Sequence, residues 1–169
     1  MKKIIYIIGP ESSGSIFIAK TIASATGLCY FSQWDGHSRC PYENDSFSVY
    51  HFSQPHYDDP TFTNIQNVAS KHKNHDLMFI LCTRDQNICE KSRIKKHAWQ
   101  NRSVEQLRDE TKECKNILEN IIQNHKYFIW SYETMCFLKD AYLKCLLNWV
   151  GVDGNFSKPV IDGNKKYIQ

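Results

Sequence analysis

Residues 3–15, KIIYIIGPESSGS, decide the fold predicted for this chain. The apolar run Ile4–Ile8 ends at Gly9-Pro10, which is typical of a central strand buried on both faces. A helical pattern of apolar residues begins at Ser15 and ends before Gly27. The turn between them is rich in glycine and serine, so it offers backbone N–H groups and hydroxyls to an anion. The stretch predicts an anion-binding loop; the alternative is a plain strand–turn–helix connection.

This loop lacks the lysine of a nucleoside triphosphatase. The pattern Gly-x-x-x-x-Gly-Lys-Ser/Thr requires lysine at the position that Ser15 occupies here. Because that lysine contacts the β- and γ-phosphates, its absence argues against triphosphate hydrolysis and phosphoryl transfer.

Predicted strands and helices alternate along the rest of the chain. This alternation indicates an α/β fold, a three-layer sandwich with a central parallel sheet. The 169 residues contain no linker or repeat, so we expect a single domain over residues 1–169. The predicted strands are Lys3–Ile8, Phe47–Phe52, Leu77–Cys82 and Lys126–Ser131, and the predicted helices are Ser15–Thr26, Phe62–His72, Gln86–Lys96, Ser103–Asn124 (with a capping box of Ser103 and Gln106) and Thr134–Val150, with a loop over 32–44.

Composition narrows the class of partner. The net charge of +3 suits a small anionic ligand and is too small to indicate nucleic acid. Seven cysteines without a Cys-x-x-Cys pair indicate reduced thiols and a cytoplasmic location. The five-residue apolar run near the N-terminus is too short for a signal peptide or a membrane span, so no membrane partner is expected. The spacing of histidines, cysteines and carboxylates predicts no metal site.

A second segment has the residue types of a phosphate clamp. Arg84 follows the strand Leu77–Cys82, at the sheet edge where open α/β sheets bind ligands. Ser92 lies eight residues later, about two turns along the next helix. A guanidinium fork and a hydroxyl can bind the same phosphate. The alternative is a surface pair of Arg84 with Asp85 beside a solvated basic helix face.

Together the two segments resemble the sulfotransferase superfamily, whose donor is 3′-phosphoadenosine 5′-phosphosulfate (PAPS). Residues 9–15, GPESSGS, are similar to the GPESSGT loop of a small bacterial and phage-like group, and the spacing of Arg84 and Ser92 matches the family's 3′-phosphate clamp. Further similar elements are Ser131-Tyr132-Glu133, Ser53-Gln54-Pro55-His56 and residues 164–167, NKKY. The resemblance implies a P-loop NTPase-like, sulfotransferase-like topology.

The resemblance also implies an activity and a site. The chain would transfer a sulfuryl group from PAPS, leaving 3′-phosphoadenosine 5′-phosphate (PAP), to a hydroxyl or amine of a small-molecule or glycan acceptor. The 5′-phosphosulfate would lie on the loop, with Ser12 at the position of the family's catalytic lysine. The 3′-phosphate would lie on the clamp within reach of the tail lysines. The residues implied to bind the nucleotide are Glu11, Ser12, Ser13, Gly14, Ser15, Ile16, Phe17, Arg84, Ser92, Tyr132, Lys165 and Lys166.

Sulfuryl transfer needs a base that accepts the proton of the acceptor. His56 is the first candidate, because it matches the Pro-His pair of the similar group. His37, His51 and Glu11 are alternatives.

The chain departs from the family pattern at two cationic positions. The loop lysine falls on Ser12, and an arginine that often follows the loop falls on Ile16. Lys20 or a tail lysine is then a candidate for the missing cation. Nucleotide binding and catalytic turnover are therefore separate expectations.

Several alternatives stay open. A non-catalytic PAP- or PAPS-binding relative would need no loop cation, and a small P-loop kinase would need Asp85 as its magnesium ligand. Phe17 is either an adenine contact or a core residue, and Lys165 and Lys166 are either phosphate ligands or a solvated chain end. The predicted acceptor pocket lies within residues 32–60 and suits a sugar or a phenol; its candidate side chains are Trp34, His37, Tyr42, Tyr50 and Tyr57.

Overall fold

The apolar run at the N-terminus forms the central strand of a five-stranded sheet. The computed structural model describes residues 1–28, 42–53, 67, 70–96, 101–153 and 162–167. The strand order is β2-β3-β1-β4-β5; β3, β1, β4 and β5 are parallel, and β2 is antiparallel to β3. The strands are β1 (Lys3–Gly9), β2 (Tyr42–Glu43), β3 (Phe47–Ser53), β4 (Asp76–Thr83) and β5 (Tyr127–Ser131).

Helices cover both faces of this sheet. Apolar side chains of α1 and α5 pack on one face with Ile5 and Ile7 of β1, and α3 packs on the other face with Tyr6 and Ile8. This arrangement confirms the predicted α/β class with a parallel central sheet between two helical layers. The helices are α1 (Ser15–Ala25), α2 (Gln86–Lys96), α3 (Val104–Asn124), α4 (Tyr132–Leu138) and α5 (Asp140–Val150), followed by a short 3-10 helix, Lys165–Tyr167.

The predicted elements agree with the structure where local signals are strong. Helix α2 has the predicted bounds, and α3 begins at the predicted capping box. Ser103 Oγ accepts a hydrogen bond from Gln106 N at 3.2 Å, and Gln106 Oε1 accepts one from Ser103 N at 2.8 Å.

Two predictions are corrected. The single helix expected over Thr134–Val150 is two helices, because the backbone at Lys139 adopts a φ of +49° and ends α4. Helix α4 also begins earlier, at Tyr132, since Ser131 Oγ caps it by accepting from Thr134 N. The strand β2 lies in a stretch predicted as loop. Most of that loop, and most of the predicted helix Phe62–His72, lies outside the described residues.

Strand β5 is fixed at its carboxyl end by a tyrosine of α5. Tyr142 Oη donates to the Ile129 carbonyl at 2.8 Å and accepts from Ser131 N at 3.2 Å. Its ring stacks on the fully buried Trp130, with centroids 4.5 Å apart. These contacts position the start of α4, from which Tyr132 and Glu133 extend toward the strand ends.

The cysteines in the described ranges are free thiols. Burial raises the pKa of Cys89 to about 11, so this thiol stays protonated at neutral pH. Among the described residues, each helix is too short or too polar to span a bilayer.

Replacing Ile5 by alanine will destabilise the fold. Ile5 is fully buried in the centre of β1, so Ile5→Ala should lower the free energy of unfolding by about 2–5 kcal/mol. Chemical denaturation measures this change. The matched control is Ile94→Ala on α2, where the side chain is 46% exposed and the change should stay within about 0.5 kcal/mol. Equal effects at the two positions would contradict the assigned core.

Stability should fall in mild acid. Burial lowers the pKa of His125, and burial followed by nearby positive charge lowers the pKa of His72. Because the unfolded chain then binds more protons below about pH 6.5, the free energy of unfolding decreases as the pH falls through that value. Urea denaturation from pH 7 to pH 5 measures the slope. The double variant His72→Gln/His125→Gln should flatten it; an unchanged slope would show that other groups cause it.

Candidate functional site

The candidate site lies where the connections from two neighbouring strands leave the sheet in opposite directions. After β1 the chain passes through α1 on one face to β3, and after β4 it passes through α3 on the opposite face to β5. Such a switch point leaves a crevice at the carboxyl ends of the strands. The loop after β1 and Arg84 after β4 both lie at this edge.

Close packing and an unusual backbone shape the loop. A Cβ on Gly9 would lie 2.5 Å from the Cys82 carbonyl oxygen and 2.6 Å from Ser13 Oγ, so only glycine fits there. Gly14 has a φ of +91°, and a Cβ on it would lie 2.8 Å from the Tyr132 ring. Ser12 also has a positive φ, +67°. Because the N-cap Gly14 carries no side chain, no cap covers the first amides of α1, a helix terminus of the kind that binds anions.

Arg84 contacts this loop directly. Its Nη1 donates to the Ser12 carbonyl at 2.7 Å, and its Nε and Nη2 donate to Asn164 Oδ1 at 2.9 and 2.6 Å. The guanidinium carbon lies 4.3 Å from the centre of the Tyr132 ring and 5.7 Å from that of Tyr167. A positive charge therefore lies against the loop that lacks its own lysine.

Ser92 reaches the same loop residue. The buried Ser92 hydroxyl donates to Ser12 Oγ at 3.2 Å. The structure thus brings together three residues predicted for the nucleotide site, with Arg84 on the carbonyl of Ser12 and Ser92 on its hydroxyl. Asp85, the carboxylate of the kinase alternative, is exposed, and its Oδ1 accepts from Ile88 N at 3.0 Å at the start of α2.

The tail segment, defined here as residues 162–167, folds back over this edge of the sheet. Gly163 N donates to Tyr132 Oη at 3.0 Å, and Lys91 Nζ donates to the Tyr167 carbonyl at 2.9 Å. Burial raises the pKa of Tyr132, which keeps its phenol neutral. Lys165 and Lys166 are exposed on the short 3-10 helix.

A serine–histidine pair lies at the start of α1. Ser15 Oγ and His51 Nε2 are 2.8 Å apart, and His51 lies in β3 opposite Ile7 of β1. His56 and His37, two other candidate bases, lie outside the described residues. Of the candidate histidines, the structure therefore describes only His51, next to a predicted site residue.

Glu11 takes part in an ion-pair cluster, defined here as Glu11, Arg93, Arg102 and Glu110. Arg102 Nη2 lies 2.7 Å from Glu11 Oε2, and Arg93 Nε lies 3.4 Å from the same oxygen. Both arginines also pair with Glu110 on α3. Burial lowers the pKa of Arg93, and the charge of Glu11 opposes that shift. Through these ion pairs the cluster joins the loop to α2 and α3.

The remaining predicted residues lie on α1 or on the sheet. Ile16 is 51% exposed and Lys20 is exposed, whereas Phe17 is partly buried against the core beneath α1. Tyr50, a candidate for the acceptor pocket, stacks on Tyr6 with centroids 4.6 Å apart, on the face of the sheet that α3 covers. Trp34 and Tyr57 lie outside the described residues, and the side chain of Tyr42 is not described. Within the described ranges no group of three or more histidines, cysteines or carboxylates could hold a metal ion.

Sequence reasoning did not assign Asn164 and Glu133 to the site, although both lie in short elements that carry the family resemblance. It also did not find Arg93, Arg102 and Glu110. The bonds from Arg93 to Glu110 and from Arg102 to Glu11 join residues 17 and 91 positions apart, so no local spacing indicates them. Arg102 and Glu110 are eight positions apart.

Comparisons with known proteins give little further information. No family model matches the chain, and no curated protein matches it. Among solved structures, the chain is similar to the apo form of translation elongation factor SelB from Methanococcus maripaludis, with 12% identity and a TM-score of 0.31. The match covers 92% of this chain and 35% of the SelB chain, so this chain spans about a third of that protein. Similarity at this level supports no inference about function.

Removing one carboxylate of the ion-pair cluster will destabilise the protein. Glu110→Gln leaves Arg93, whose side chain is 2% exposed, without one of its anionic partners. The free energy of unfolding should fall by roughly 3 kcal/mol. The matched control is Glu113→Gln, an exposed position on the same helix, which should stay within about 0.5 kcal/mol. A neutral Glu110→Gln would show that its ion pairs with Arg93 and Arg102 do not contribute to stability.

Proposed function

We propose that this chain is a sulfotransferase-like protein that binds PAPS and transfers its sulfuryl group to a hydroxyl or amine of a small-molecule or glycan acceptor. One observation carries the proposal: Arg84, which follows β4, and Ser92, which lies on α2, both bond to Ser12 of the loop after the central strand. A two-phosphate nucleotide needs two anion sites close together. A loop at a helix N-terminus and a neighbouring guanidinium supply both.

The proposal assigns a role to each part of the site. The 5′-phosphosulfate would bind the loop residues and the amides at the start of α1, and the 3′-phosphate would bind Arg84 and Ser92. Lys165 and Lys166 belong to the tail segment that covers this edge, so they supply further positive charge. In this assignment the sheet has the P-loop topology of the sulfotransferase superfamily.

The chemistry places two demands on the chain. PAPS supplies an activated sulfuryl group: the acceptor oxygen or nitrogen bonds to sulfur while the bond from sulfur to the phosphate oxygen breaks. The loop must stabilise the negative charge on the departing phosphate. The Ser12 hydroxyl and the first amides of α1 can meet this charge, and Lys20 or a tail lysine is the candidate cation. A base must also accept the acceptor's proton; His56 is the choice that the resemblance implies, and His51 lies next to Ser15.

A specific observation favours a second candidate, a PAP- or PAPS-binding protein without turnover. The loop has Ser12 and Ile16 at the two positions where the family has cations. Ile16 is 51% exposed, so an uncharged side chain stands at the surface where a cation is expected. The kinase alternative is less well supported, because Asp85 caps α2 at an exposed position.

Nucleotide binding is the first test of this proposal. Calorimetry should detect binding of PAP and no binding of ATP with magnesium. Arg84→Gln should weaken PAP binding at least roughly tenfold, since it removes a charged hydrogen-bonding group. The matched control is Arg108→Gln at a 57% exposed arginine whose Nε lies 3.4 Å from Glu90 Oε1; this variant should bind PAP normally. Binding of ATP alone would overturn the proposal.

A sulfuryl-transfer assay then distinguishes the sulfotransferase from the binding protein without turnover. PAPS labelled on its sulfuryl group, incubated with phenols, amines and sugars, should yield labelled products with the wild-type chain and not with Ser12→Ala. Binding of PAP without a labelled product from any acceptor would favour the binding protein.

A further inference from the structure

We propose that Glu133 and Asn164 are positioning residues that hold the guanidinium of Arg84 against the loop with its charge intact. The consequence for nucleotide affinity rests on the proposed function; the positioning itself does not. The observations are three hydrogen bonds that link Glu133 to Asn164 and Asn164 to Arg84.

The first link fixes one side of the guanidinium. Asn164 Oδ1 accepts from both Nε and Nη2 of Arg84, so a single amide oxygen occupies this edge of the guanidinium. Nη1 then faces the Ser12 carbonyl at 2.7 Å. These bonds use three of the five N–H groups of Arg84. Within the described part of the chain, one N–H on each Nη remains for a ligand.

The second link fixes the orientation of the amide. Asn164 is buried, and its Nδ2 donates to Glu133 Oε1 at 3.1 Å. An ionised carboxylate only accepts, so it requires the nitrogen of the amide, and the oxygen must then face Arg84. Without Glu133, the amide can rotate and present N–H donors to a cation, which would release the guanidinium.

Glu133 also fixes the backbone beside Arg84. The same oxygen, Oε1, accepts from Asp85 N at 3.0 Å. Glu133 therefore restrains both the main chain next to Arg84 and the amide that binds its side chain. Its own place is set by the start of α4, where Ser131 caps the helix.

The neutral amide between the two charges has a chemical consequence. A carboxylate bound to the fork would neutralise the guanidinium and weaken its attraction for phosphate. Asn164 transmits the orientation that Glu133 imposes and leaves the positive charge available at the loop. This explains why an asparagine, rather than an acid, contacts Arg84.

The test follows the Arg84 Nε–H by ¹⁵N nuclear magnetic resonance in the protein without ligand, with the signal assigned by its loss in Arg84→Lys. Solvent exchange of this proton should accelerate at least roughly tenfold in Asn164→Ala and in Glu133→Ala, because the hydrogen bond that protects it is lost. The matched control is Glu113→Ala on the exposed face of α3, which should leave exchange unchanged. Thermal unfolding of each variant confirms that it is folded.

A double variant that exchanges the amide and the carboxylate of Asn164 and Glu133 distinguishes the orientation of the Arg84 guanidinium from its charge. In the double variant Glu133→Gln/Asn164→Asp, the new amide turns its nitrogen toward the new carboxylate and its oxygen toward Asp85 N, so two atoms share the bonds that Glu133 Oε1 makes alone. The new carboxylate still accepts from Arg84. Nε–H protection should therefore return to the wild-type level. Affinity for PAP should nevertheless fall about tenfold, because the carboxylate neutralises Arg84. In an Arg84→Gln background, Asn164→Ala should cause no further loss of affinity.

The outcomes of the two measurements are distinguishable. Wild-type exchange rates in Asn164→Ala would overturn the positioning inference, whatever ligand binds. Accelerated exchange in a chain that binds no PAP would leave the positioning standing and overturn the proposed function.

Discussion

The guanidinium of Arg84 is the interaction on which the candidate site depends. It binds the carbonyl of Ser12 and the amide of Asn164, residues that lie 72 and 80 positions away in the sequence. It also lies over the ring of Tyr132. One side chain thus joins the loop after β1, the start of α4 and the tail segment. No acid neutralises the guanidinium in these contacts, so the side chain that connects these three segments also carries the positive charge of the site.

The loop itself is held in a conformation that serine rarely adopts. A positive φ at a residue other than glycine costs on the order of 1 kcal/mol or more, and Ser12 is bound at both its carbonyl and its hydroxyl. Glu11 adds a second restraint through Arg93 and Arg102. A pre-shaped loop loses little conformational freedom when an anion binds, which favours affinity.

The pattern of neighbouring residues predicted most strands and helices, and it failed for elements whose bounds depend on tertiary contacts. The strand at Ile4–Ile8 and the capping box at Ser103 could be predicted from neighbouring residues. A strand buried on both faces is a continuous apolar run, and a capping box is a serine followed three residues later by glutamine. The break at Lys139 was not readable, since no glycine or proline marks it. Strand β2 has two residues and no pattern of its own. Ser12 and Arg84 each follow a well-marked strand, and Ser92 lies about two turns into a well-marked helix, so their meeting at one edge of the sheet was predictable; their role in binding stays a prediction.

The sequence by itself determined the alternation of strands and helices, and with it the edge where Ser12 and Arg84 meet, because parallel strands place their carboxyl ends together. Only the tertiary structure decided what those residues contact. Glu133 and Asn164 reach Arg84 through bonds that depend on where α4 begins and how the tail segment folds back. Glu11 likewise pairs with Arg93 on α2 and with Arg102, which lies just before α3. Hydrogen bonds and ion pairs form wherever the fold brings donors and acceptors together, so spacing along the chain does not encode them.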